Sequence, residues 1–130
     1  RVSHQNAKFG QVEINSGITS ITGAWIIEKV LGLSKSIELC LTGNLVNGKK
    51  AYDIGIIHHL TSQKNVMKLS LKIAKDLAQK PQHAMRLTKK RIWEIFKDEM
   101  EETFKKAKKY HRISFKLGEP QKTTKDFLKK

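Results

Sequence analysis

The chain has 130 residues, a formal net charge of +14 and a hydrophobic content of 38%, which suit one domain with a single core. It contains no run of 18 or more apolar residues, and its first residues lack the apolar region of a secretory signal. These features argue against transmembrane and secreted classes. The single cysteine, Cys40, cannot form an internal disulfide, so we expect a small buried side chain in a reducing compartment, the cytoplasm or an organelle matrix. Because the chain begins with Arg1 rather than methionine, we expect a partial chain.

The excess of basic residues permits attraction to polyanions, whether nucleic acid, an anionic membrane or the phosphates of a cofactor. From Lys64 onward, however, the lysines are spread at helical spacing, a pattern typical of a solvated helix face. No RNA-recognition, zinc-finger or KH signature accompanies them. Nucleic-acid binding is therefore the weaker interpretation of the charge.

Residues 7–25 carry the most informative pattern of the chain. They predict a strand over residues 7–15, a loop punctuated by glycine, and then a helix. Glu13 lies between Val12 and Ile14, where a carboxylate would be desolvated, a condition that suits acid/base chemistry. The alternative is a strand residue that points to water while its two neighbours point inward. Periodicity alone favours this alternative.

Five helices and a basic tail should follow the loop. A helix over about 22–31 should end at Gly32, and a second one, capped by Ser34, should end at Gly43. Asn47-Gly48 should open a short helix that stops at Gly55. Two long amphipathic helices then flank a break at Lys80-Pro81, because proline disfavours helical geometry in the preceding residue. Their apolar faces comprise Val66, Leu69, Ile73 and Leu77 in the first, and Met85, Ile92, Phe96, Met100, Phe104 and Ala107 in the second.

The remaining motifs carry little chemistry. Gly118-Glu119-Pro120 predicts a turn, and residues 125–130 predict a short basic tail helix with Phe127 and Leu128. His58-His59 has no third ligand at metal spacing, so we expect no metal site. Phosphate-loop, dinucleotide and Gly-x-Ser-x-Gly signatures are absent from the sequence.

Three stretches resemble the crotonase (enoyl-CoA hydratase/isomerase) superfamily. Phe9-Gly10-Gln11-Val12-Glu13-Ile14, followed by Gly17-Ile18, is similar to the family segment Phe-Gly-x-Pro-Glu-x-x-x-Gly-[Ile/Leu], with Val12 in place of the usual proline. Leu41-Thr42-Gly43-Asn44, then Ala51 and Gly55-Ile56-Ile57, resembles Leu-Thr-Gly-Asp followed by Ala-x-x-x-Gly-Leu-Val. The order of the carboxy-terminal helices and the closing Asp126-Phe127-Leu128-Lys129-Lys130 are also similar to the family. The resemblance covers residues 7–130, about the second half of a complete member.

This resemblance implies the fold, the site and the substrate. The fold would be the carboxy-terminal portion of an α/β, crotonase-like (ClpP/crotonase) fold, mostly helical, with one or two short strands at its N-terminal end. Glu13 would be the acid/base that handles the α-proton of an enoyl-CoA thioester, with Gly17 at the acyl pocket. Trp25 falls on a helix, where core packing is the default expectation, and its place near the active-site loop would let it line the acyl pocket instead. The substrate would bring coenzyme A, whose phosphates lie near Phe127, Lys129 and Lys130, and no permanently bound cofactor is expected.

Two further expectations concern organisation. Residues 1–60 would form the end of the crotonase core with the active-site loop, and residues 61–130 a helical region that covers the site and builds a trimer-based homo-oligomer. In the family, the oxyanion amides and a second glutamate come from sequence upstream, so we expect this chain alone to be inactive. Hydratase and isomerase chemistry stay open, and a non-catalytic oligomerisation module or a basic nucleic-acid-binding fragment remain alternatives.

Overall fold

The computed structural model of the chain describes residues 1–129, which form six α-helices, two short 3₁₀ helices and four short strands. The helices are α1 (Ile21–Leu31), α2 (Leu33–Thr42), α3 (Gly48–Asp53), α4 (Val66–Ala78), α5 (Gln82–Leu117) and α6 (Glu119–Leu128). The strands are β1 (Val2–His4), β2 (Lys8–Phe9), β3 (Val46–Asn47) and β4 (His59–Thr61). The mostly helical α/β character is as predicted, with β1 and β2 at the N-terminal end and two further short strands later in the chain.

The described residues divide into two compact units that interleave in sequence. The first unit comprises residues 1–7 and 47–101, and the second comprises residues 8–46 and the described residues from 102 onward. The boundary between them falls within the 36-residue helix α5. The division at residue 60 that the sequence suggests is sequential rather than interleaved, and it stays a prediction.

In the first unit, a parallel strand pair and a capped short helix hold the chain together. β1 pairs with β4 in parallel, with Val2 opposite His59 and His4 opposite Thr61. Helix α3 begins after Asn47 as predicted, because the Asn47 side-chain oxygen caps it by accepting a hydrogen bond of 2.9 Å from the Lys50 amide. It ends at Asp53, two residues before the predicted stop at Gly55. The buried apolar side chains of this unit are Ala51 and Ile57.

The two long helices are separated at Pro81, as predicted, but their apolar faces are only partly covered. Along α4, Val66, Leu69 and Ile73 are half-buried while Leu77 is exposed. Along α5, Met85, Phe96 and Met100 are half-buried and Ala107 is buried. The prediction is wrong for Ile92 and Phe104, which are exposed, because helical spacing fixes a face without deciding whether another element covers it. No helix within residues 1–129 combines the length and the apolarity needed to cross a membrane.

In the second unit, α1 and α2 form a helical hairpin around Gly32. The predicted helix of residues 22–31 is confirmed, with a start at Ile21. Gly32 ends α1 and also precedes α2, so Ser34 lies inside the first turn of α2 and the prediction that it caps this helix is wrong. The hairpin is closed by Ser36, whose hydroxyl donates to the Ala24 carbonyl oxygen at 2.7 Å. Leu39 and Cys40 are buried, and Gly43 ends α2 in a left-handed conformation, as expected.

Helix α6 is longer than the predicted tail helix. It begins at Glu119, with Pro120 in its first turn, where proline's fixed φ and missing N–H are tolerated. The left-handed Gly118, at φ 82°, makes the turn that the sequence placed over residues 118–120. The helix therefore starts before Lys125, where the sequence prediction placed it. Lys130, the last residue of that prediction, lies outside the described residues.

Candidate active site

Glu13 opens a 3₁₀ helix rather than lying in a strand. The strand predicted over residues 7–15 is limited to β2, and Glu13–Ser16 forms a 3₁₀ helix that ends at Gly17. The turn is closed by hydrogen bonds from the Gly17 amide to the Ile14 carbonyl oxygen at 3.1 Å and from the Ile18 amide to the Glu13 carbonyl oxygen at 3.0 Å. The alternative that placed Glu13 on a strand with Val12 and Ile14 pointing inward is therefore wrong, since Val12 and Ile14 are 42% and 45% exposed. The Glu13 side chain itself is half-buried.

The Glu13 carboxylate lies against the side-chain amide of Gln11. With the amide nitrogen turned toward Glu13, Gln11 donates to both carboxylate oxygens at 3.2 Å and to the Ser20 hydroxyl at 3.0 Å. The opposite orientation would point the amide oxygen at two carboxylate oxygens, an arrangement of acceptors without a proton between them. The donor orientation is therefore the one that satisfies the group.

Three contacts from distant parts of the second unit hold the loop that follows Glu13. Asn15 donates to the Gly43 carbonyl oxygen at 2.9 Å. The Thr123 hydroxyl of α6 lies 2.9 Å from the Ser16 carbonyl oxygen and 2.6 Å from the Glu119 carbonyl oxygen, so its one proton is shared between these two acceptors. His111 of α5 lies with Nε2 2.9 Å from the Thr19 carbonyl oxygen. Because a carbonyl oxygen only accepts, this nitrogen carries the proton. The loop is thus tied to α2, α5 and α6.

The predicted pocket and cofactor residues have different surroundings. Gly17 adopts φ 67°, and a Cβ at this position would lie 2.9 Å from the Glu119 backbone carbon, so the loop approaches α6 closely there. Trp25 is half-buried on α1. At the other end of α6, Phe127 is 75% exposed and Lys129 is exposed. Lys130 lies outside the described residues, and all of these site assignments remain predictions.

Sequence reasoning missed the residues that surround Glu13. Gln11, Ser20 and His111 each contact the Glu13 loop or its partners, and none was singled out from the sequence. Gly23 is a fourth, because its missing Cβ leaves room for the Gln11 amide. One sequence signal was available: a glycine in the first turn of a helix is unfavourable without a packing reason.

The titratable side chains outside the Glu13 loop are weaker candidates for a functional site. Within residues 1–129, no group of three His, Cys, Asp or Glu side chains is arranged to hold a metal ion. In the first unit, the Arg1 guanidinium lies 2.9 Å from Nε2 of His58 and holds the pKa of that imidazole below its usual range. An open groove of about 700 Å³ runs along α4, with Lys68, Lys72 and Lys75 beside Leu69 and Leu71. These features belong to the first unit, whereas Glu13 belongs to the second.

The described fold occurs in solved structures of the crotonase fold. An enoyl-CoA hydratase/isomerase from Pseudoalteromonas atlantica T6c matches with a TM-score of 0.91 and 17% identity, over 98% of this chain and 52% of its own. A carnitinyl-CoA hydratase from Mycobacterium avium matches with a TM-score of 0.85 and 18% identity, over 98% of this chain and 51% of its own. The fold predicted from the motifs is therefore confirmed.

The family follows from the sequence comparison. A family model described as Enoyl-CoA hydratase/isomerase matches residues 1–130, and the chain belongs to this family. A short-chain-enoyl-CoA hydratase from Clostridioides difficile is 31% identical over 93 residues, 71% of this chain and 60% of that protein. A crotonyl-CoA hydratase from Syntrophomonas wolfei is 31% identical over 90 residues, 68% of this chain and 35% of that protein. The chain thus spans 60% of the first relative and 35% of the second.

Proposed function

We propose that Glu13 is the acid/base group of a hydratase or isomerase that acts on an enoyl-CoA thioester. The observation that carries this proposal is the half-buried Glu13 carboxylate, which accepts hydrogen bonds from Gln11 within a loop tied to three helices. Family membership over the whole chain supports it. A carboxylate in such a place can transfer a proton only if its oxygens are held at a fixed position next to the substrate.

Hydration and isomerisation share the step assigned to Glu13. A thioester carbonyl makes the α-carbon acidic enough for a carboxylate to donate or remove its proton, with negative charge developing on the carbonyl oxygen. In the family, the amides that stabilise this charge, and a second glutamate in hydratases, come from sequence upstream of the matched segment. Coenzyme A belongs to the substrate in this proposal, and no resident cofactor is needed. Exposed Lys129, at the end of α6, is a candidate contact for its phosphates.

The test is a pair of carboxylate variants in the native protein. Glu13→Gln keeps the size and polarity of the side chain and removes its basicity, so kcat/KM should fall by about 10²–10⁴-fold. Activity is measured as hydration of crotonyl-CoA, and α-proton transfer as deuterium uptake by a saturated acyl-CoA in D₂O. Glu38→Gln is the control, because Glu38 is an exposed α2 residue whose carboxylate pairs with Lys35 at 2.6 Å.

Both readouts bear on the role of Glu13. Loss of both in Glu13→Gln, with Glu38→Gln at the native level, supports the proposal. Hydration and deuterium uptake within about threefold of the native values in Glu13→Gln would contradict it, since a general acid/base contributes far more than that.

Self-association is a second candidate property, favoured by the exposed apolar side chains. Among the described residues, several large apolar side chains are at least 60% exposed, namely Leu33, Leu41, Met67, Leu87, Leu117, Phe127 and Leu128. Such surfaces commonly mark interfaces, and we place the protein in a homo-oligomer, trimer-based as the family resemblance implies, in the cytoplasm or an organelle matrix. Sedimentation equilibrium at several concentrations tests the assembly. A monomer at every concentration would contradict it.

A further inference from the structure

The side chain of Gln11 lies in a small slot formed by Ser20 and Gly23, and we propose that this slot holds the Glu13 carboxylate in its reactive position. Gln11, Ser20 and Gly23 are then positioning residues that act through Glu13 and touch no substrate. This inference rests on the proposed role of Glu13. It goes beyond it by assigning a purpose to three residues that the family motif leaves without one.

The first step is the bond pattern of the Gln11 amide. Its nitrogen has two hydrogens, and the structure offers two sets of acceptors, the Glu13 carboxylate oxygens at 3.2 Å and the Ser20 hydroxyl at 3.0 Å. One hydrogen therefore serves the carboxylate while the other is anchored on Ser20. Because Ser20 lies directly before α1, the orientation of the carboxylate is tied to the beginning of that helix.

The second step is the hydrogen bonding of Ser20 at the start of α1. Serine is a favoured N-cap because its hydroxyl can accept a hydrogen bond from the amide of the second or third helical residue. Ser20 occupies the N-cap position of α1 but makes no side-chain cap bond, and its hydroxyl contacts Gln11 instead. Ser20 therefore does not make the cap bond that would stabilise α1. Departures of this kind from local stabilising preferences concentrate at functional sites.

The third step is the glycine on the first turn of α1. Glycine is among the least favourable helix residues, so Gly23 needs a packing reason. A Cβ at this position would overlap the end of the Gln11 side-chain amide and would lie 2.6 Å from both Cδ of Gln11 and Oγ of Ser20. The overlap is with the end of a flexible side chain, so Gly23→Ala displaces Gln11 and leaves the helix intact.

The consequence concerns catalysis more than stability. Without the Gln11 hydrogen bonds, the Glu13 carboxylate can rotate about its side-chain torsions, and small misplacements of a reacting group cost large factors in rate. A variant with a disturbed slot should therefore fold normally, bind its substrate, and turn it over slowly.

The experiment combines Gly23→Ala, Gln11→Ala and the double variant in the native protein. Gly23→Ala should lower kcat on crotonyl-CoA by about tenfold or more while KM stays within about twofold, since binding contacts are unchanged. Thr22→Ala, the neighbouring position on the same turn, controls for helix propensity and should keep the native kcat. In the Gln11→Ala background, Gly23→Ala should cost nothing further, because the group that it displaces is already absent.

A structural readout accompanies the kinetics. The side-chain NH₂ signals of Gln11 should show contacts to the Gly23 α-protons by NMR and should move to solvent-exposed positions in Gly23→Ala. Ser20→Thr, which keeps the hydroxyl, should retain more of the native kcat than Ser20→Ala does. A native kcat in Gly23→Ala would overturn the slot proposal. The proposal would also be overturned if the kcat losses of Gly23→Ala and Gln11→Ala simply added in the double variant.

The two proposals fail in different ways. An active Glu13→Gln variant removes the catalytic role of Glu13 but leaves the NMR signature of the slot to be tested separately. Gln11 signals that are the same in native and Gly23→Ala protein would remove the slot even if Glu13→Gln were inactive.

Discussion

The two compact units of this chain are built on different principles. In the second unit, the buried side chains include the polar Ser36, Thr103 and Ser114 beside the apolar Leu39, and side chains bond to backbone groups far away in sequence. In the first unit, by contrast, α4 buries no residue and the part of α5 that belongs to it buries none either. The first unit shows regular amphipathic helices, and the second shows precise tertiary contacts.

This difference separates two kinds of sequence information. An apolar stripe requires only local spacing, and it forms a helix whether or not its apolar face is covered. A loop that carries a functional carboxylate needs contacts that fix it from several directions. Glu13 lies in the unit that supplies such contacts, so the second unit should tolerate substitution less well than the first.

The largest expected effect compares one leucine from each unit. Leu39 of α2 is 4% exposed and Leu71 of α4 is 54% exposed. Leu39→Ala should lower the free energy of unfolding by about 3 kcal/mol, because it removes a buried side chain and leaves a cavity. Leu71→Ala makes the same chemical change and should cost less than about 0.5 kcal/mol. Urea unfolding of this chain measures both.

A large cost for Leu71→Ala would break the comparison. It would show that the face of α4 is covered in solution, and sedimentation of the same sample would then tell whether self-association covers it. Equal small costs for both leucines would instead show that the core around Leu39 is less well packed than its burial indicates.

A second prediction concerns the close approach of the Glu13 loop to α6. Gly17→Ala should lower the free energy of unfolding by about 3 kcal/mol, the sum of a left-handed strain and a steric overlap. The strain follows from φ 67°, and the overlap from the Glu119 backbone carbon 2.9 Å from the new Cβ. Gly118→Ala is the matched control, because Gly118 is also left-handed, with φ 82°, but has nothing within 4 Å of its Cβ position. It should cost only about 1 kcal/mol, from strain alone. The difference between the two variants in thermal unfolding gives the contribution of the steric overlap. Equal free-energy costs would mean that α6 moves away from the new Cβ and relieves the overlap.

Signals that lie within a few residues predicted much of the fold. Gly32 and Gly43 end helices through their own backbone preferences, and Pro81 lies in the predicted break between α4 and α5. The crotonase fold followed from motifs rather than from periodicity. These features need no knowledge of distant contacts.

The features that the sequence did not predict correctly depend instead on contacts between residues that are not close in sequence. The 3₁₀ turn at Glu13, taken for a strand, is closed by Gly17 and supported by Thr123, which is remote in sequence. The role of Gly23 depends on Gln11, and neither spacing nor composition reveals that pair. Glu13 was found through resemblance to a family segment, whereas the side chains that hold it became visible only in three dimensions.

The smallest expected effect compares two ion pairs on opposite parts of α5. Glu102 and Lys106 lie 2.6 Å apart in the second unit, and Lys90 and Glu94 lie 3.8 Å apart in the first. In the first of these pairs the glutamate precedes the lysine, the more favourable order along a helix. Lys106→Met should therefore destabilise this chain more than Lys90→Met does, and added salt should reduce the difference.

The pH dependence of the Lys106 pair has a definite sign. The hydrogen bond that Lys106 donates to the Glu102 carboxylate raises the pKa of Lys106 above its ordinary value of 10.5. A raised pKa in the folded state means that the stabilisation is complete below the ordinary value and is lost as the pH rises through the folded value. Urea unfolding of native and Lys106→Met chains should therefore differ at neutral pH and converge in strong alkali. A difference that persisted there would assign the effect to the packing of the lysine stem rather than to its charge.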